Sequence, residues 1–139
     1  MNDYAYEDLT IGTEESFSVE ITEKMLSNFY AITGDKNPLH HDVCFAQAHG
    51  YPGKVVFGML TASFMSTLSG CYLPGRRCLI HSADASFVRP VYVGDRLTIS
   101  GTVKAKHELS KQVEIRVYAT NQNGEKVMRG LLKVGFLNE

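Results

Sequence analysis

The sequence predicts an α+β fold in which an antiparallel sheet wraps around one central, buried helix. Three observations carry that expectation. Residues 58 to 69, GMLTASFMSTLS, combine large apolar residues with small ones and contain no charge, so the helix they form presents no obvious solvent face. Four stretches with strand patterning follow in succession: LIHSADASFVRP, DRLTISGTVKA, KQVEIRVYATN and EKVMRGLLKVGF. A further strand signal comes before the helices, so strands are grouped around helices instead of alternating with them.

The elements can be justified in order. In TEESFSVEI, residues Thr13 to Ile21, the alternation sets Phe17, Val19 and Ile21 on one face, which predicts a half-buried strand. The period then changes. Thr22 can cap a helix with Glu23 in its first turn; Met25, Leu26, Phe29 and Ile32 follow at helical spacing, and Gly34 ends it. Asp42 is a natural N-cap for a short helix through Val43, Phe45 and Ala46, closed by Gly50. GYPGK is loop chemistry, and Val55-Val56 returns the chain to the interior. The main helix, Gly58 to Ser69, rises ~1.5 Å per residue and is too short for a bilayer, so its surroundings must be protein. Gly94-Asp95 and Asn123-Gly124 mark reversals between the later strands, and Gly101 and Gly130, inside strand patterns, predict a bend or a close backbone approach.

Size and charge narrow the function classes. With 139 residues, 44% hydrophobic, the chain is expected to form a single domain over residues 1–139. A formal charge of -1 and the lack of a basic run interleaved with aromatics exclude a nucleic-acid surface. The N-terminus, MNDYAYEDL, is acidic, and no apolar run approaches the ~18 residues of a membrane span, so the expectation is a cytoplasmic protein with no membrane partner. Cys44, Cys71 and Cys78 form an odd set without a CxxC pair and read as reduced core thiols. His40, His41 and Asp42 are adjacent, but neighbouring side chains on an irregular backbone rarely converge on one ion, and no metal or other cofactor is expected. His41 and His49 read as surface histidines, while His81 and His107 sit in strand patterns without nearby partners in sequence. No GxSxG turn suggests a serine hydrolase, and no GxGxxG suggests a nucleotide site.

The chemistry is concentrated in GDKNPLH. Asn37-Pro38 is a turn-forming pair that can fold the chain so that the carboxylate of Asp35 and the imidazole of His40 meet. Such a pair can position and deprotonate a water. Gly58 opens the main helix, where unpaired amides and the positive end of the helix dipole can stabilise a developing oxyanion.

GDKNPLHHD followed by GYPGKVVFGML resembles the hydratase motif of the MaoC-like (R)-specific enoyl-thioester hydratases. FVRPVYVGD, Phe87 to Asp95, is similar to that family's strand and turn after the helix, and together the matches span most of the chain. The resemblance implies a hot-dog fold and hydration of trans-2-enoyl thioesters to (R)-3-hydroxyacyl products. It implies Asp35 and His40 as the catalytic pair, the Gly58 amide as donor to the thioester carbonyl, and Ser66 in the active site. Asn37 is then a supporting residue that closes the turn. One departure stands out, since Phe57 occupies a position where many relatives carry His. The implied partner is an acyl-CoA or acyl-carrier-protein thioester, and the implied assembly is a homodimer. A hot-dog thioesterase and a non-catalytic acyl-thioester-binding subunit are the alternatives the scaffold would permit.

Overall fold

The computed structural model describes residues 1–138. Strand β1 (Glu14–Glu20) leads into helix α1 (Glu23–Thr33), a 3₁₀ turn (Pro38–His40), the short helix α2 (Val43–Ala48) and the central helix α3 (Gly58–Thr67). Helix α3 continues directly into a wider π turn, Leu68–Tyr72. Four strands then complete the chain: β2 (Cys78–Phe87), β3 (Arg96–His107), β4 (Gln112–Thr120) and β5 (Lys126–Phe136). All pairings are antiparallel, in the order β1-β3-β4-β5-β2, so β1 and β2 are the edges.

Local chemistry accounts for the boundaries. Thr22 accepts a 3.2 Å bond from the Met25 amide at the start of α1, and Gly34 ends the helix in the left-handed region at φ 68°. Asp42 accepts from the Phe45 amide at 3.1 Å and caps α2. Gly94 and Gly124, at φ 93° and 75°, make the two reversals expected from the sequence.

The core lies between the sheet and α3. Leu97, Ile99, Ile115, Val117, Leu132 and Val134 point inward from the strands against Leu60, Met65 and Leu68 of the helix. Register shifts at Ile80/Ser82 and Val103/Ala105 add local twist, which helps the sheet curve around the helix. The interior glycines of the strands mark close approach. A Cβ at Gly101 would stand 2.7 Å from Leu68 Cδ2, and one at Gly130 would collide with the Asp84 carbonyl oxygen and lie 2.9 Å from Met65 Cε. The flexible methionine can yield, but the Asp84 backbone cannot. Gly130→Ala is therefore expected to cost about 1–3 kcal/mol, read as a lower urea midpoint at unchanged slope.

Three expectations need correcting. Helix α3 is not enclosed on nearly all sides: Met59 is 65% exposed, and Ser63, Ser66 and Thr67 are exposed with it along one side. An uncharged stripe can face a cavity or another protein surface as readily as its own core, so composition could not separate these cases. Cys44 is exposed on α2, and only Cys71 and Cys78 are partly buried, though all three are free thiols. His107 on β3 pairs with Glu114 of the adjacent β4 at 2.6 Å, and His81 on β2 reaches Gln112 of β4 at 2.9 Å across the intervening β5.

Candidate active site

The Asp35–His40 stretch is shaped by its own polar groups. The Asp35 amide donates to Thr33 Oγ1 at 3.2 Å, and Asp35 Oδ1 accepts from the Asn37 amide at 3.0 Å. Asn37 Oδ1 accepts in turn from the Leu39 amide at 3.0 Å, capping the Pro38–His40 turn. Asn37 thus closes the turn with its side chain.

The ring of His40 is held in two directions. Its Nδ1 lies 2.6 Å from the Val55 carbonyl oxygen, so Nδ1 carries a proton and donates, leaving Nε2 of the neutral ring free to accept one. Its face packs on Phe57 at 4.3 Å between centroids with a 30° tilt. Phe57 is buried and also meets Phe29 at 5.1 Å. Phe57 thus makes an apolar wall for His40.

Asp35, His40, Gly58 and Ser66 all line one cavity of about 840 Å³, whose walls include Phe29, Met59, Ile80 and Leu132. Asn37 does not line it. A smaller cavity of about 330 Å³ also reaches His40, Gly58 and Phe87, and continues past Tyr51 and Arg89. Gly58 begins α3, where the Leu60 and Thr61 amides bond to the Phe57 carbonyl and the first amide has no acceptor within the helix. Its backbone is outside the left-handed region, so the reason for glycine here is space: a Cβ would stand 3.3 Å from the Phe87 ring. Ser63 Oγ and Ser69 Oγ donate to the Leu60 and Met65 carbonyls at 2.6 and 3.0 Å, while Ser66 sits on the exposed, cavity-lining side.

Two contributors are not legible as site residues in the sequence. The Val55 carbonyl is main chain, which residue type does not reveal. Phe87 stands inside the FVRPVYVGD stretch, but only the fold brings its ring onto Gly58. No group of three or more His, Cys, Asp or Glu able to hold a metal ion is present among the described residues, and no helix among them is long and apolar enough to cross a membrane.

Comparison with known proteins gives a consistent picture. The model of the MaoC like domain matches residues 8–124. The (R)-specific enoyl-CoA hydratase of Aeromonas caviae is 36% identical over 100 residues, covering 72% of this chain and 75% of that protein. The 3-hydroxybutyryl-CoA dehydratase of Methylorubrum extorquens is 29% identical over 123 residues, covering 88% and 77%. The unliganded R-hydratase PhaJ1 from Pseudomonas aeruginosa superposes with a TM-score of 0.91 at 28% identity, over 99% of this chain and 88% of that one. The five-stranded sheet around a central helix is thus the hot-dog fold of those hydratases.

Proposed function

The chain belongs to the MaoC-like dehydratase family, and from that premise we propose that it adds water reversibly across the double bond of trans-2-enoyl thioesters, giving (R)-3-hydroxyacyl thioesters. The observation that carries the proposal is that Asp35 and His40 open together on a largely apolar cavity whose wall also holds the start of α3 at Gly58. An apolar cavity suits an acyl chain, the acid–imidazole pair suits a water, and the helix start suits the thioester oxygen.

The steps follow from these groups. A water held between Asp35 and His40 Nε2 gives up a proton as its oxygen bonds to the carbon β to the carbonyl. The double-bond electrons move toward the thioester, and the charge that builds on its oxygen is met by the Gly58 amide and the α3 dipole. The carbon α to the carbonyl then takes a proton from the Asp35/His40 pair. Water has been added, and the pair returns to its starting charge. Asn37 holds the turn, and Ser66 supplies a hydroxyl to the cavity wall. The carrier is coenzyme A or acyl carrier protein, both found among the relatives' named substrates.

Incubation with crotonyl-CoA tests the reading. Loss of enoyl absorbance without release of free thiol, with the (R) product identified by chiral chromatography, is the expected outcome. Thiol release would point instead to a thioesterase, and absence of both reactions would favour a binding subunit.

The same reading includes a homodimer. Strand β2 is an edge; Leu79, Ile80 and Phe87 on it and Val88 just after it are between 41% and 48% exposed, and Ile80 and Phe87 share the cavity wall with Met59 of α3. An apolar unpaired edge calls for a cover. Light scattering is expected to give twice the 15.4 kDa chain mass, and Ile80→Lys to shift the protein toward monomer. A fully active monomer at assay concentration would rule the assembly out.

A further inference from the structure

His41, an exposed residue next to the proposed catalytic pair, is tied into the site by its side chain. We propose that His41 is a positioning residue: its Nε2–H clasps the Asp35 carbonyl and thereby holds the Asp35 carboxylate in register with His40. The inference rests on the reading of Asp35 and His40 as the reacting pair.

The clasp closes a short loop. Nε2 of His41 is 2.7 Å from the Asp35 carbonyl oxygen, and because a carbonyl can only accept, the ring nitrogen donates. The His41 amide donates to the Pro38 carbonyl at 3.1 Å, so the histidine is itself anchored to the turn that carries His40. Its ring is held edge-on by two aromatic neighbours, Tyr30 at 4.7 Å and 81° and Phe57 at 5.7 Å and 74°. Phe57 is the same ring that packs on the face of His40. One aromatic side chain therefore touches both histidines, one of them proposed to face the water and the other gripping the residue that supplies the acid.

The site needs this restraint because of where Asp35 sits. It follows Gly34, which ends α1 in the left-handed region at φ 68°, so Asp35 lies outside the helix and its hydrogen-bond ladder. Two further restraints are the hydrogen bond that the Asp35 amide donates to Thr33 Oγ1 and the one that Asp35 Oδ1 accepts from the Asn37 amide, both short-range and exposed. Among the described residues, only the His41 bond ties the Asp35 main chain to the far side of the Pro38–His40 turn. An exposed hydrogen bond adds little to stability, but a displacement of about 1 Å at a reacting group can cost on the order of a hundredfold in rate. The effect should therefore appear in turnover, with little change in folding.

Two substitutions separate the donor from the ring. His41→Gln keeps an N–H donor and loses the aromatic edge; His41→Phe keeps the ring and loses the donor. With crotonyl-CoA as substrate, His41→Phe is expected to lower kcat by about ten- to a hundredfold with KM within about twofold, and His41→Gln to restore kcat to within about fivefold of the parent. Thermal melts of both should stay within a few degrees of the parent. Parent-like kcat in His41→Phe overturns the inference, as does a loss in His41→Gln that exceeds the loss in His41→Phe, since that would make the ring's packing the important feature. Asp35→Asn is run alongside: full activity there removes the underlying reading, whereas an inactive Asp35→Asn with a fully active His41→Phe removes only the clasp.

Discussion

Replacing Asp35 by Asn or His40 by Ala is expected to lower turnover of crotonyl-CoA by about two to four orders of magnitude, with the double variant little worse than either single one. The non-additivity follows from the proposed chemistry: both groups act on one water, and once either is lost the other has no poised proton to pass. Asp35→Asn is the cleaner probe of charge. The amide oxygen can still accept from the Asn37 amide, as Oδ1 does at 3.0 Å, so the turn is kept while the carboxylate is removed. His40→Ala also removes the 2.6 Å bond to the Val55 carbonyl and the packing on Phe57, so its circular dichroism and melting curve have to match the parent before its kinetics are interpreted. Strictly additive losses, or a single variant with near-parent turnover, would sink the pairing.

Gly58→Pro should fold and yet lose about a hundredfold or more in kcat, because it deletes the one donor proposed for the thioester oxygen, worth on the order of 3 kcal/mol. The backbone permits this test. Gly58 opens α3, where proline's missing N–H costs no intrahelical bond, and its φ is not left-handed. Phe57, the residue before it, is at φ −51° and ψ 123°, a conformation that a following proline accepts. The obstacle is steric, since any side chain at 58 meets the Phe87 ring at about 3.3 Å. The neighbour is a side-chain ring and not backbone, and it needs to shift by only a few tenths of an ångström. Gly58→Ala places the same Cβ against Phe87 with the N–H intact, so the ratio of the two variants separates loss of the amide from Cβ crowding. Equal turnover in the two would assign the oxyanion to another donor.

How much of the site could be read from the chain differs from residue to residue. Asp35, Asn37 and His40 were legible because a turn is a local object: the five-residue spacing of Asp35 and His40, the Asn-Pro pair and the preceding glycine act over distances the sequence itself spans. Gly58 was legible as a helix start for the same reason. Ser66 was harder, because a small residue on an apolar helix has the same appearance whether it packs against a neighbour or faces a cavity; in the fold it lines the cavity. His41 read as an ordinary surface histidine, and it is exposed, yet its contact to Asp35 depends on a ring orientation set by Tyr30, which α1 delivers from eleven residues earlier in the chain.

The sequence alone determined the elements and their order, since hydrophobic period, caps and turn residues are properties of neighbours along the chain, and these set where strands, helices and reversals fall. It also determined the residue types available to the site. Tertiary structure alone decided that β1 and β2 would be the edges, that the Asp84 backbone would press on Gly130 and Phe87 on Gly58, and that one side of α3 would be left open to a cavity. Those outcomes depend on how strands far apart in sequence pair and on how far the sheet curves. Pairing and curvature arise from the packing of all five strands on one helix, so no single stretch of the chain carries them.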